Sequence, residues 1–122
     1  MLTFASWYEP GTWRGRPMRI SKYPGRGLKK SDYNWGEVLC LIPDWSLVKA
    51  YRDGKLNQDE FFARYRKGLE QRWDEVSAWL ASLSPKEDLT LLCHERDGRT
   101  CHRKVVADLV QEHRPDIQTD FQ

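Results

Sequence analysis

The sequence predicts a small α/β domain: a mainly parallel sheet flanked by helices on both faces, three layers deep, with one long amphipathic helix in the middle. Three observations carry this. Leu89–Cys93 is an uninterrupted strand-like run followed by a polar loop and an apolar-faced helix over residues 102–113, which is half of a β-α-β unit. Helical stretches separate the later strands, as parallel pairing requires. Between them, Phe62, Tyr65, Leu69, Trp73, Val76, Leu80 and Leu83 recur at intervals of three and four, the period of one helix face.

The elements follow in order. Leu2–Ser6 and residues 18–21 are short segments with apolar residues that end near Gly or Pro and read as two buried strands, with loops beside them. Residues 38–42 form either a strand or the approach to a helix. Asp44 then caps a helix over Trp45–Arg52 that Gly54 stops. Asn57 with Glu60 three residues on is a capping-box start for the long helix, which is expected to bend near Gly68. Ser84, Pro85 and Glu87 make a single turn before the Leu89–Cys93 strand. Residues 115–122 read as a tail.

At 122 residues the chain fits one domain, 1–122, and excludes a multidomain machine. Apolar residues at 39%, with six Trp, five Tyr and four Phe, suffice for a core and argue against general disorder. The longest apolar run, Val38 to Ile42, is five residues against the roughly 20 of a membrane span, so no membrane is expected as a partner. The first residues lack a secretory pattern, and three cysteines (Cys40, Cys93, Cys101) cannot all pair internally. The cytosol is the expected compartment. Charge is uneven: residues 1–56 hold ten Lys/Arg against five Asp/Glu. Arg14, Arg16, Arg19, Lys22, Arg26, Lys29 and Lys30 run without an intervening acid, interleaved with Trp13, Tyr23, glycines and prolines.

In parallel sheets, ligands sit beyond the carboxyl ends of the strands. Residues 93–103 occupy such a position and pack two thiols, two imidazoles, two carboxylates and three guanidiniums into eleven residues. Leu91-Leu92-Cys93-His94-Glu95, a short loop and then Cys101-His102-Arg103 opening an apolar helix resembles the signature of the family called domain of unknown function 488. The resemblance extends to Ile20-Ser21 with Pro24, to residues 41–43, to Tyr51 with Gly54 and to residues 62–69. It implies an α/β fold and a site at Cys93, Glu95, Cys101, His102 and Arg103, with Ser21 facing it; it implies no particular reaction.

Read from its own chemistry, Cys101 at a helix start beside His102 and Arg103 is the best nucleophile candidate, because unpaired N–H groups and cations favour a thiolate. Glu95 either orients an imidazole or acts as general acid or base, Arg103 holds an anionic substrate, and Cys93 is a second nucleophile or a resolving thiol. The competing reading is structural: Cys93 and Cys101 are packed core residues, and Glu95 with Arg103 ties loop to helix. Cys93 with Arg99 and Thr100 also reproduces the spacing of the cysteine-phosphatase loop, although Glu95 and Asp97 would repel a phosphate. Cys93, His94, Cys101 and His102 are competent zinc ligands, but thiols eight positions apart do not match common zinc knuckles. No metal is assigned and no cofactor is expected.

The basic stretch over residues 13–30 has the side chains that bind phosphate backbones and stack bases, or is simply a solvated face. If its loops meet residues 93–103, then Arg19, Ser21, Lys22, Arg26 and Arg103 form an anion or nucleic-acid site near the thiol. Trp45, Tyr51 and the helical stripe read as core. The sequence thus points to an enzyme-like domain with a cysteine-centred anion site, whose expected partner is a nucleic acid, a nucleotide or another phosphorylated small molecule. A noncatalytic nucleotide or nucleic-acid module and a thiol redox or zinc-linked regulator are the alternatives, and the oligomeric state is left open.

Overall fold

Leu2–Ser6 (β1) is buried at all five positions and Leu89–Cys93 (β4) at all but the first. Short apolar strands buried on both faces are what the centre of a parallel sheet requires. The two pair in parallel from Leu2 opposite Leu89 to Ser6 opposite Cys93. Arg16–Arg19 (β2) takes the other edge of β4, Gly36–Glu37 (β3) lies outside β2, and Thr119–Phe121 (β5) pairs with the free edge of β1. The computed structural model describes residues 1–94 and 102–122; among these the strand order is β3-β2-β4-β1-β5, all parallel.

That order dictates where the connections run. Parallel crossovers are right-handed in nearly all cases, so steps toward β3 and steps toward β5 must cross opposite faces. The first two connections step one way. Their loops, with the one-turn helix Lys30–Tyr33 (α1), cover a cluster of Ala5, Trp7, Trp35 and Leu92. The later connections step the other way, and Trp45–Arg52 (α2), Gln58–Gln71 (α3), Trp73–Ser82 (α4) and Arg103–His113 (α5) pack over Leu2, Phe4 and Leu91. The fold is the expected small α/β domain, with its longer helices on one face and an aromatic loop layer on the other. Trp13 belongs to that layer, its ring set against Trp7 and Tyr33. Gly15 is required where this layer meets the turn before β4: its φ is +69° and a Cβ there would lie 1.9 Å from the Asp88 carbonyl oxygen.

Several expectations shift. β2 is Arg16–Arg19 and not residues 18–21, because Ile20 and Ser21 are buried by the turn after the strand while Arg16 and Pro17 carry no apolar signal. Residues 38–42 are not a strand; Leu39–Leu41 is a 3-10 turn with Leu41 buried and Leu39 exposed. The long helix is two, broken at Arg72 (φ −117°, ψ 40°) and not bent at Gly68. Arg72 donates from Nε to the Cys40 carbonyl at 2.7 Å and from Nη2 to the Ile42 carbonyl at 3.1 Å, so the break fastens the helical layer to the turn. The apolar period runs through it because the interruption is one residue long. Asn57 and Glu60 form the reciprocal capping box, whereas Asp44 makes no side-chain cap bond. The tail reading of residues 115–122 is overturned: Phe121 of β5 stacks on Phe4 with ring centroids 5.7 Å apart, and Gln122 N–H donates to the Phe4 carbonyl. Three strand residues with one apolar side chain are too few for a periodic signal. Among the described residues, no helix is long and apolar enough to cross a membrane.

Candidate functional site

Because connections leave β1 and β4 toward opposite faces, a crevice opens beyond the carboxyl ends of these neighbouring strands. A cavity of about 550 Å³ lies there, lined by residues that directly follow three strands, by α2 and by the start of α5. Tyr8 comes from the end of β1, Ser21, Lys22, Tyr23 and Arg26 from the loop after β2, and Cys93 and His94 from the end of β4. Trp45, Tyr51 and Arg52 of α2 form one wall, and His102 closes the floor.

The loop after β2 is held by a chain of hydrogen bonds. The buried Trp7 indole Nε1–H donates to Ser21 Oγ at 2.9 Å, and Ser21 Oγ–H donates to the Tyr23 carbonyl at 2.6 Å. His94 Nε2 donates to that same carbonyl at 3.0 Å, while its Nδ1 faces the Tyr8 hydroxyl at 3.4 Å. Gly25 lets the loop settle: a Cβ there would lie 2.6 Å from Trp7 Cβ. Arg19 Nη1 donates to the carbonyls of Ser21 at 2.7 Å and Lys22 at 2.5 Å, and Nη2 lies 3.5 Å from Glu37 Oε2. That guanidinium, with Lys30 beside it, holds the Glu37 carboxyl below its ordinary range. Arg19 therefore braces the loop from behind and does not line the cavity.

At the floor, His102 is buried and its ring is fixed on both sides. Nε2–H donates to the Ile20 carbonyl at 2.8 Å, which assigns the proton of the neutral ring to Nε2 and leaves the Nδ1 lone pair facing Cys93 Sγ at 3.8 Å. Tyr65 of α3 packs edge-on against the ring, centroids 5.3 Å apart. A thiol and an imidazole nitrogen so placed have the arrangement that proton transfer from the thiol to the ring would require. Arg103, one residue on, points elsewhere: it is fully buried with its guanidinium 4.9 Å from the Phe121 ring centroid, and it is not part of the cavity lining.

The rim is cationic and aromatic. Lys22 Nζ lies 5.6 Å from the ring centroids of both Tyr23 and Trp45, and the Arg52 guanidinium 5.5 Å from Trp45. Tyr23 and Trp45 meet edge to face at 5.6 Å. Among the described residues, Lys22, Arg26 and Arg52 have no carboxylate partner and no acid lines the cavity.

Of the residues singled out in the sequence, Cys93, His102, Ser21, Lys22 and Arg26 come together here, whereas Arg19 and Arg103 do not. Glu95, Cys101, Arg99 and Thr100 lie outside the described residues, and with them the phosphatase-like spacing and the Cys93 to Cys101 pair. Among the described residues, no group of three or more side chains is placed to hold a metal ion. Sequence reasoning missed Tyr8, His94 as a loop anchor, and the α2 wall. Tyr8 was accessible from its position directly after β1; Trp45 and Tyr51 were not, because an amphipathic stripe gives core and cavity residues the same period. Cys40, the third thiol, is half-buried away from the cavity, and burial pushes its pKa up.

A family model described as DUF488-N3a, the active DUF488-N3 subclade, matches residues 6–114, from the last residue of β1 to just past α5. No curated protein and no solved structure matches the chain.

Proposed function

The chain belongs to the DUF488 family, and from that premise we propose that the cavity is a cysteine-centred reaction site for a phosphorylated substrate. Cys93 supplies the thiol, His102 takes its proton at Nδ1, and Lys22, Arg26 and Arg52 attract the anion. The observation that carries this reading is the Sγ to Nδ1 approach of 3.8 Å with the other ring nitrogen committed to the Ile20 carbonyl. Such contacts are commonly long before substrate is bound. The family model's description of its subclade as active supports catalysis. Cys101, the nucleophile favoured from the sequence, lies outside the described residues; of the two described thiols, Cys93 and Cys40, Cys93 is the one with an imidazole nitrogen beside it.

The test is iodoacetamide alkylation of the folded protein across pH 5 to 9, with each thiol resolved by mass spectrometry. Cys93 should react faster than Cys40 at neutral pH, and His102→Gln should slow Cys93 at least about tenfold while leaving Cys40 unchanged. A Cys93 rate that ignores His102→Gln in a folded variant overturns the pair. Cys101 is read in the same spectra.

Noncatalytic binding is the second reading, favoured by three rim cations that have no carboxylate partner among the described residues, an arrangement that attracts an anion whatever the thiol does. An inert Cys93, together with salt-sensitive anion binding that survives Cys93→Ser, would select it.

A further inference from the structure

We infer that the rim and α2 wall recognise a nucleotide unit, with its base against Tyr23 and Trp45 and its phosphate on Lys22, Arg26 and Arg52. The inference rests on the cavity being the functional site, and it adds what the ligand must carry. Phosphate alone needs the cations; it does not explain the rings. Tyr23 is 55% exposed, one of the two large hydrophobic side chains in the described residues left so open, although its ring already meets Trp45. A single exposed ring is ordinary, but this one stands beside a second ring and a cation at the cavity rim, where an unpaired base can stack irrespective of sequence.

Spacing supports a ring and an anion joined in one molecule. Lys22 Nζ is equidistant, at 5.6 Å, from the centroids of Tyr23 and Trp45, so a phosphate on Lys22 sits about one sugar away from both rings. Arg52 lies two helical turns after Trp45 and flanks the same indole, while Arg26 approaches from the opposite loop. These cations lie in a cavity without a carboxylate among the described residues, which suits a phosphate monoester, dianionic near neutral pH, better than a single carboxylate. The cavity of about 550 Å³ lies within the range of small-ligand pockets, roughly 300 to 1,000 Å³. Free mononucleotides and the end of a single strand present the same unit.

The experiment measures equilibrium binding to the Cys93→Ser protein by calorimetry, so that the Cys93 thiol does not react. The probes are the four ribonucleoside 5′-monophosphates, adenosine, ribose 5-phosphate and 5′-phosphorylated tetrathymidylate. At least one mononucleotide or the tetranucleotide should bind more tightly than both adenosine and ribose 5-phosphate. Tyr23→Ala should weaken that binding roughly 5- to 150-fold, the range expected for one stacked base. Tyr23→Leu, which keeps apolar bulk at the rim, should recover little of it. Whichever source binds more tightly, free nucleotide or strand end, supports the inference and identifies the source.

Ribose 5-phosphate binding as tightly as every nucleotide would overturn it and leave an anion pocket only. Undiminished nucleotide binding by a folded Tyr23→Ala protein would overturn it as well. Failure here is separable from failure of the Cys93–His102 pair, because Cys93 reactivity is read without nucleotide and binding without the Cys93 thiol. A reactive Cys93 with no nucleotide binding refutes this inference alone.

Discussion

Replacing Gly25 by Ala tests whether the loop after β2 is held down on Trp7 as described. The added Cβ would lie 2.6 Å from Trp7 Cβ, 2.9 Å from Leu28 Cδ1 and 3.1 Å from Trp7 Cγ. Leu28 Cδ1 is a flexible chain end and can rotate away. Trp7 cannot, since it is fully buried, packs on Trp35 at 4.8 Å and donates to Ser21. Ordinary van der Waals contact begins near 3.4 Å, so the loop must lift by about 1 Å. Overpacking of this kind costs roughly 1 to 3 kcal/mol. Gly25 has no positive φ, so no backbone strain adds to this, and the lower entropy of the unfolded alanine chain offsets about 0.4 to 1 kcal/mol. The expected net loss is about 1 to 2 kcal/mol, read as a lower urea midpoint with an unchanged slope. The lifted Tyr23 carbonyl should also leave His94 Nε2, shifting that ring's NMR resonance. Gly11→Ala is the control, because nothing lies within 4 Å of its Cβ position and its φ is ordinary; it should be neutral or slightly stabilising. A Gly25→Ala protein with wild-type stability and an unmoved His94 resonance would refute the packing argument.

Arg72→Ala should destabilise by roughly 2 to 3 kcal/mol in chemical denaturation, since it strips a charged donor from the carbonyls of Cys40 and Ile42. Leu91→Ala, at a fully buried position on the central strand β4 between Phe4 of β1 and Met18 of β2, should cost about 2 to 5 kcal/mol while leaving nucleotide affinity unchanged in the folded fraction, by denaturation and calorimetry respectively. Acid should weaken the fold modestly. Glu37 is held below its ordinary range by Arg19 and then Lys30, Glu112 by Arg66, and Asp116 by Arg114. Groups depressed on folding contribute stability above their unfolded pKa, and that contribution is lost as pH falls through the lower folded values. The urea midpoint should therefore drop between about pH 5 and pH 3, and added salt should shrink the difference because all three carboxylates are exposed. A midpoint that is flat with pH would show that these pairs contribute nothing.

Elements whose signal is local were legible in the sequence. β1 and β4 are short, mainly apolar segments free of Gly and Pro, α2 has its Gly54 stop, and the Asn57 box is a two-residue pattern that needs no tertiary partner. Elements defined by what they pair with were not. β3 has two residues and β5 three, so each exists as a strand only because a neighbour's open edge accepts it. The helix break at Arg72 depends on carbonyls some thirty positions away, which no periodicity reports. The candidate site divides along the same line. Cys93 and His102 were visible as chemistry-bearing residues at a strand end and a helix start, but their approach depends on the Ile20 carbonyl, which gives no side-chain signal. Arg19 and Arg103 read as anion ligands because a guanidinium in sequence looks the same whether it faces solvent or braces a loop. Trp45 and Tyr51 read as core because a cavity wall is apolar for the same reason.

The placement of β1 between β4 and β5 has a consequence for biosynthesis. β1, an interior strand, leaves the ribosome before the other strands of this sheet, and Leu2 meets Leu89 and Thr119 only when those distant stretches have emerged. At about 5 to 20 residues per second, β1 waits for roughly 5 to 20 seconds or more with no sheet partner. Its pairings are non-local, so loop closure precedes any reward, and folding is expected to be slow for a chain of this size. During that interval the Leu-Thr-Phe-Ala-Ser segment stands open to other nascent chains, making β1 the strand of this sheet that a chaperone would have to shield longest.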